Sequence, residues 1–238
     1  MIIDFMPVTF VDFPGNIATT VFIGGCNLNC CYCHNSSLLN AKEANKTETE
    51  FLNYLLKRKH LIKGVCITGG EPTLWTDLKR FIKQIKGYGF LVKLDTNGTN
   101  PVVLQDLINE KLLDYVAMDI KASPTKYNEF GAKNNDIEKI KTSVFLLKNC
   151  GIKHEFRTTI VEGLYTESDA NDIAQWLKGA DNYVLQGYKY NENVLNPKLC
   201  STKNCDISYL EHLQEKLRPY FSNVKIRCWF SIYGLALL

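Results

Sequence analysis

The chain has 238 residues, 45% of them hydrophobic and 22% charged, with a formal net charge of +3 at pH 7. That length is ordinary for one domain with a sizeable core, and we expect a single domain over 1–238. So small a charge gives no nucleic-acid-binding stripe, and no apolar run approaches the length of a membrane span. Nine cysteines are too sparse, and odd in number, for a disulfide scaffold. The opening Met1-Ile-Ile-Asp-Phe-Met-Pro7 lacks a basic region followed by an apolar one. With its unpaired cysteines, this leads us to expect a reducing, cytoplasmic setting.

Strand-like and helix-like stretches alternate from one end to the other. Strands are expected at 17–25, 64–68, 90–95, 115–121, 154–161 and 183–187. Helices are expected near 47–60, 74–86, 101–112, 136–150, 168–178 and 206–219. Thr47-Glu-Thr-Glu50 reads as a capping box, Thr166 and Asp206 as further helix starts, and Pro101 suits a first turn. Alternating β and α units argue for a parallel sheet with helices outside. Six units are too few for a full eight-stranded barrel, leaving a partial (β/α)6 barrel of the TIM type or a doubly wound open sheet.

The chemistry-bearing residues gather where such folds keep their sites, at the C-terminal ends of strands. Cys26-x-x-x-Cys30-x-x-Cys33 follows the first strand. Three close thiolates suit a metal centre with one open position, although Cys26, Cys30 or Cys31, Cys33 and His34 would also make a closed zinc site. Gly69-Gly70-Glu71-Pro72 ends the second strand; its glycines let backbone approach a ligand, and Glu71 is an acceptor for a positively charged group. Asp95-Thr96-Asn97-Gly98 follows the third strand and carries a strong turn signal. Asp119 and Lys121, two apart at the end of the fourth, are expected to share one face. Arg157 is a guanidinium on an otherwise apolar fifth strand, and Gln186 ends the sixth. Cys66 reads as a small buried hydrophobe, while Cys150, Cys200, Cys205 and Cys228 are scattered.

CxxxCxxC followed by GGEP resembles the radical S-adenosylmethionine (SAM) superfamily. The resemblance implies a [4Fe–4S] cluster on Cys26, Cys30 and Cys33, with Cys31 outside the ligand set, and SAM chelated at the fourth iron. It places Gly69, Gly70 and Glu71 against the SAM amino group, Arg157 on the SAM carboxylate, and Tyr32 and His34 beside the cluster and SAM. It also implies the partial (β/α)6 barrel. Leu94-Asp-Thr-Asn-Gly98 is similar to a segment of glycyl-radical-enzyme activases, in which Asp95 and Thr96 would hold a monovalent cation, with the carbonyl of Ala117. In that branch Asp119 and Lys121 would contact SAM or the substrate backbone. Gln186, by its place at a strand end, reads as a cofactor contact or as a satisfied core or rim amide.

Val8-Thr-Phe-Val-Asp-Phe-Pro-Gly15 is close to activators of the anaerobic ribonucleoside-triphosphate reductase. The implied activity is reductive cleavage of SAM and installation of a glycyl radical on that partner. No side chain serves as acid or base, and a flavodoxin- or ferredoxin-type protein donates the electron. Two other readings stay open: a radical SAM enzyme acting on a small molecule, such as a 7-carboxy-7-deazaguanine synthase, and a non-catalytic zinc or electron-transfer protein.

Overall fold

Nearly continuous apolar burial builds the parallel strands, and capped amphipathic segments build the helices. The structure, a computed structural model, describes residues 1–39, 41, 43–133, 135–200 and 202–228. They pack as two compact units interleaved along the chain: 1–29, 35–119 and 131–154 form the first, and 30–34, 120–130 and residues from 155 onward form the second.

The first unit holds strands β1 (Ile2–Thr9), β2 (Ala18–Ile23), β3 (Gly64–Gly69), β4 (Leu91–Thr96) and β5 (Tyr115–Asp119) in that order. β1 is antiparallel to β2; the pairings from β2 through β5 are parallel. Its helices are α1 (Ser36–Leu39), α2 (Glu48–Lys57), α3 (Leu78–Gly87), α4 (Pro101–Asn109) and α5 (Asp136–Asn149). Thr47 and Glu50 form the expected capping box at α2, and the Asn100 side chain caps α4 ahead of Pro101. Val65 and Ile67 of β3 and Val92 and Leu94 of β4 are fully buried, as are Phe51 and Leu55 of α2 and Phe81, Ile82 and Ile85 of α3. Each such side chain contributes about 1.5–3 kcal/mol by leaving water.

The second unit holds three parallel strands in order, β6 (Lys153–Ile160, from Glu155 on), β7 (Asn182–Gly187) and β8 (Asn223–Arg227). Its helices are α6 (Glu167–Leu177), with a Thr166–Asp169 capping box, and α7 (Ile207–Leu217), capped by Asp206.

All six expected strands are present, and two more join them. β1 carries Pro7 and exposed Asp4 and Met6, the composition of an edge strand, which blurs its apolar signal. β8 is five residues long with exposed Lys225 at its centre, too short for a clear period. One boundary changes the reading of a site pair. β5 ends at Asp119, so Lys121 is not its neighbour on a strand face. The Ile120 N–H donates to the Arg157 carbonyl at 2.7 Å. The Lys121 backbone beyond it is held by two tyrosines: its N–H donates to the Tyr127 hydroxyl at 3.0 Å, and its carbonyl accepts from Tyr165 at 3.1 Å.

Candidate active site

In the first unit the ends of β3 and β4 are joined through one carboxylate. Glu71 is completely buried. Its Oε1 accepts from the Thr73 N–H at 3.1 Å, the Thr73 hydroxyl at 2.5 Å and the Thr96 hydroxyl at 2.7 Å, and its Oε2 accepts from the Asn97 N–H at 2.6 Å. Burial pushes this carboxyl above its ordinary range, and the four hydrogen bonds pull against that. Its carboxylate accepts from four neutral donors of its own chain and so fixes the strand-end loops.

Gly69 and Gly70 bring the β3 turn hard against β2. Gly69 has φ +123°, and a Cβ there would lie 2.4 Å from the backbone N and O of Ile23. A Cβ on Gly70 would lie 1.9 Å from the Gly25 carbonyl oxygen. That close approach lets the Gly70 N–H donate to Ile23 O at 2.8 Å and the Glu71 N–H to Gly25 O at 2.7 Å. The residue before Cys26 is thereby tied to the GGE segment.

Asn97 extends the network to the first cysteine. Its Nδ2 donates to Asn27 Oδ1 at 3.0 Å and lies 3.9 Å from Cys26 Sγ. Its Oδ1 accepts from the N–H and hydroxyl of Thr99 at 3.0 and 2.7 Å, and Asn27 Nδ2 donates to Thr99 Oγ1 at 2.9 Å. Sequence reasoning read Asn97 only as a turn residue and passed over Asn27 and Thr99. The available signal was Asn27 standing inside the cysteine motif while Asn97-Gly-Thr99 closes another strand.

Asp95 and Thr96 lie on opposite faces of β4. Asp95 is ion-paired with the ammonium of Lys93, a residue 1% exposed, and that ammonium also lies 3.6 Å from Cys66 Sγ. Cys66 is fully buried, as expected. Asp119 stands at the last position of β5, half-buried.

The second unit carries Cys30–His34. The Cys33 N–H donates to Cys30 O at 3.0 Å, closing a turn between them. The segment after β7 clamps this turn: the N–H groups of Leu195 and Asn196 donate to Cys33 O and Cys31 O at 3.3 and 2.9 Å. His34 Nε2 contacts Lys189 O at 2.8 Å, which makes Nε2 the protonated nitrogen, and the ring stacks on Tyr188 at 5.7 Å. Tyr32 is buried, edge-on to Phe130 at 5.9 Å. Arg157 is buried on β6, and Gln186 sits half-buried at the penultimate position of β7. Arg227, absent from the expected set, is in register with Gln186 and bonds Glu155 with two nitrogens at 3.1 and 3.2 Å. Only the pairing of β8 reveals it.

The later cysteines also lie in this unit. The Cys200 thiol, pushed up to about 12 chiefly by burial, hydrogen-bonds that of Cys31. Cys205 is also pushed up to about 12, by burial first and then by the charge of Glu162. Since the thiolate is the reactive form but a more basic thiolate is the better nucleophile, Cys205 of the cluster-free protein is expected to react with iodoacetamide roughly ten- to a hundredfold more slowly than an unperturbed thiol. Peptide mass spectrometry over a time course measures this, and ordinary alkylation kinetics at Cys205 would contradict it.

A family model described as "Radical SAM superfamily" matches residues 20–177. The chain belongs to the radical SAM superfamily. A Methanocaldococcus jannaschii protein named "Putative glycyl-radical enzyme activating enzyme MJ1227" is 35% identical over 226 residues, 91% of each chain. A 7-carboxy-7-deazaguanine synthase of Clostridium acetobutylicum is 30% identical over 125 residues, 51% of this chain and 54% of that one. Among solved structures, Streptococcus suis SuiB bound to S-adenosylmethionine superposes with a TM-score of 0.68 at 15% identity, over 90% of this chain and 52% of SuiB. Archaeal TYW1 gives 0.56 at 17% identity, over 86% and 72%. The radical SAM chain thus spans about half the length of SuiB. At these identities the likeness is one of fold, and it bears out the expected α/β architecture of the partial-barrel kind.

As a radical SAM enzyme the protein uses a [4Fe–4S] cluster and SAM. Its residues fit both. Cys26, Cys30 and Cys33 are soft thiol donors of the kind that hold iron–sulfur clusters. Gly69 and Gly70 leave bare backbone where any side chain would collide with β2 and the residue before Cys26. Among the described residues, no three or more His, Cys, Asp and Glu side chains are already gathered into a ligating group. Thiolates converge on a metal because its charge draws them together. No helix among the described residues is long and apolar enough to cross a membrane.

Proposed function

We propose that this radical SAM enzyme is a glycyl-radical-enzyme activase, working as a single domain on a loop of a partner protein. The observation that carries the reading is the extent of the likeness. Similarity to the activating-enzyme relative runs over 91% of both chains, whereas similarity to the deazaguanine synthase stops at about half of each. In the finer reading the partner is an anaerobic ribonucleoside-triphosphate reductase and the electron donor a flavodoxin or ferredoxin. Asp12-Phe-Pro-Gly15 and Asp95-Thr-Asn-Gly98 support the former.

In this proposal Cys26, Cys30 and Cys33 hold the cluster. When bound, cluster and SAM supply the one-electron chemistry that removes hydrogen from a glycine α-carbon. The chain's own residues position and enclose. Backbone at Gly69 and Gly70 offers polar groups to the SAM amino end, while Glu71, Thr96 and Asn97 hold that backbone still. Arg157 receives the SAM carboxylate. Tyr32 and His34 wall the cysteine turn, His34 through its bond to Lys189 O. Gln186 contributes an amide at the rim of β7. Asp119 at the end of β5 and Lys121 just beyond it orient SAM or the incoming loop.

The test is anaerobic incubation of cluster-loaded protein with SAM, a reductant and a glycyl-radical enzyme, read by electron paramagnetic resonance. A glycine-centred signal is expected. No such signal from any glycyl-radical enzyme, together with turnover of a pterin-type small molecule, would replace this reading with the small-molecule one.

A further inference from the structure

We propose that the Lys93 ammonium is a built-in cation on the Asp95 carboxylate, so that this chain binds SAM without a potassium or sodium ion. The inference rests on the SAM site just described and concerns how that site balances its charge. The resemblance to activases implies a monovalent cation on Asp95 and Thr96. The residues present do not fit one. The Asp95 carboxylate already carries an ammonium. The Thr96 hydroxyl points away to Glu71 Oε1 at 2.7 Å and accepts the Gly98 N–H at 3.1 Å.

Lys93 and Asp95 stand two residues apart on β4, so their side chains leave the same face. Lysine is almost never fully buried unless it is paired, and Lys93 is 1% exposed with Asp95 as partner. An ammonium is a compact unit charge with three donors. It therefore gives the carboxylate the same charge balance as a bound alkali ion. Because it is tethered to the strand, its presence does not depend on salt composition. A second cation on the same carboxylate would meet the repulsion of the ammonium already there, a like charge within contact distance.

The experiment compares potassium, sodium and tetramethylammonium salts at equal ionic strength, with two readouts. SAM affinity of cluster-loaded wild-type protein, by anaerobic equilibrium dialysis, is expected to agree within about twofold across the three salts, well under the tenfold that 1.4 kcal/mol represents. Cluster-free wild-type protein is expected to melt at one temperature in all three. Lys93→Met takes the ammonium away from the half-buried Asp95. It is expected to melt roughly 10 °C lower in tetramethylammonium and to recover part of that in potassium. Wild-type SAM binding about tenfold tighter in potassium than in tetramethylammonium would overturn the proposal, as would a folded Lys93→Met protein indifferent to potassium. Should that variant not fold, the wild-type series decides alone. Failure of the site reading looks different: no SAM binding in any salt.

Discussion

Alanine at Cys26, Cys30 or Cys33 is expected to abolish the iron–sulfur absorbance of anaerobically reconstituted protein, and Cys31→Ala is expected to keep it. Wild-type protein should hold about four irons per chain, as a cubane requires, and each of the three variants close to none. The effect is all-or-none because a cluster with three protein ligands has none to spare. The spacing leaves Cys31 out, and the structure gives that residue other work. Its carbonyl accepts the Asn196 N–H at 2.9 Å and its thiol meets that of Cys200. Cys30 and Cys33 instead flank a closed turn, with 3.0 Å between the Cys33 nitrogen and the Cys30 oxygen. Iron analysis and visible absorption measure the outcome. Loss of the cluster in Cys31→Ala with retention in Cys30→Ala would put the ligands in a different register.

Glu71→Ala is expected to lower stability by about 3–5 kcal/mol, the range for breaking a buried charged network. Four donors converge on this carboxylate, and the substitution strands the N–H groups of Thr73 and Asn97 and the hydroxyls of Thr73 and Thr96 in a site with no solvent. Glu71→Gln keeps the shape but turns an NH2 group toward donors, and is expected to cost about 1–3 kcal/mol. Denaturant unfolding measures both. Amide hydrogen exchange gives the local readout: the Asn97 N–H should lose protection in Glu71→Ala more than the amides of α5 do. A loss under about 1 kcal/mol in Glu71→Ala, the net worth of a single hydrogen bond, would mean that the carboxylate is not what holds these loops together.

The residues of the chain determined the kind of chemistry and its address. Cysteine spacing, the Gly69-Gly70-Glu71 turn and the β–α alternation are local signals, written within a few residues, and they put the thiols, the glycines and Asp95 at strand ends where the structure has them. What each polar side chain faces was a different matter, because partners lie far apart in sequence. Glu71 looked like an acceptor for a ligand; only the meeting of β3 with the loop after β4 shows its oxygens filled by Thr73, Thr96 and Asn97. Asp95 looked like a cation ligand, and Lys93, two residues away, drew no reading until the burial of β4 made the two a pair. Asp119 and Lys121 shared a face only for as long as the strand was drawn to residue 121; the strand ends at Asp119, and beyond it the hydroxyls of Tyr127 and Tyr165 hold the Lys121 backbone. Arg227 acquired a role only through β8, whose five residues are too few for periodicity to announce. Spacing fixes which groups are near one another along the chain, but hydrogen bonding and desolvation act between neighbours in space, and folding alone chooses those.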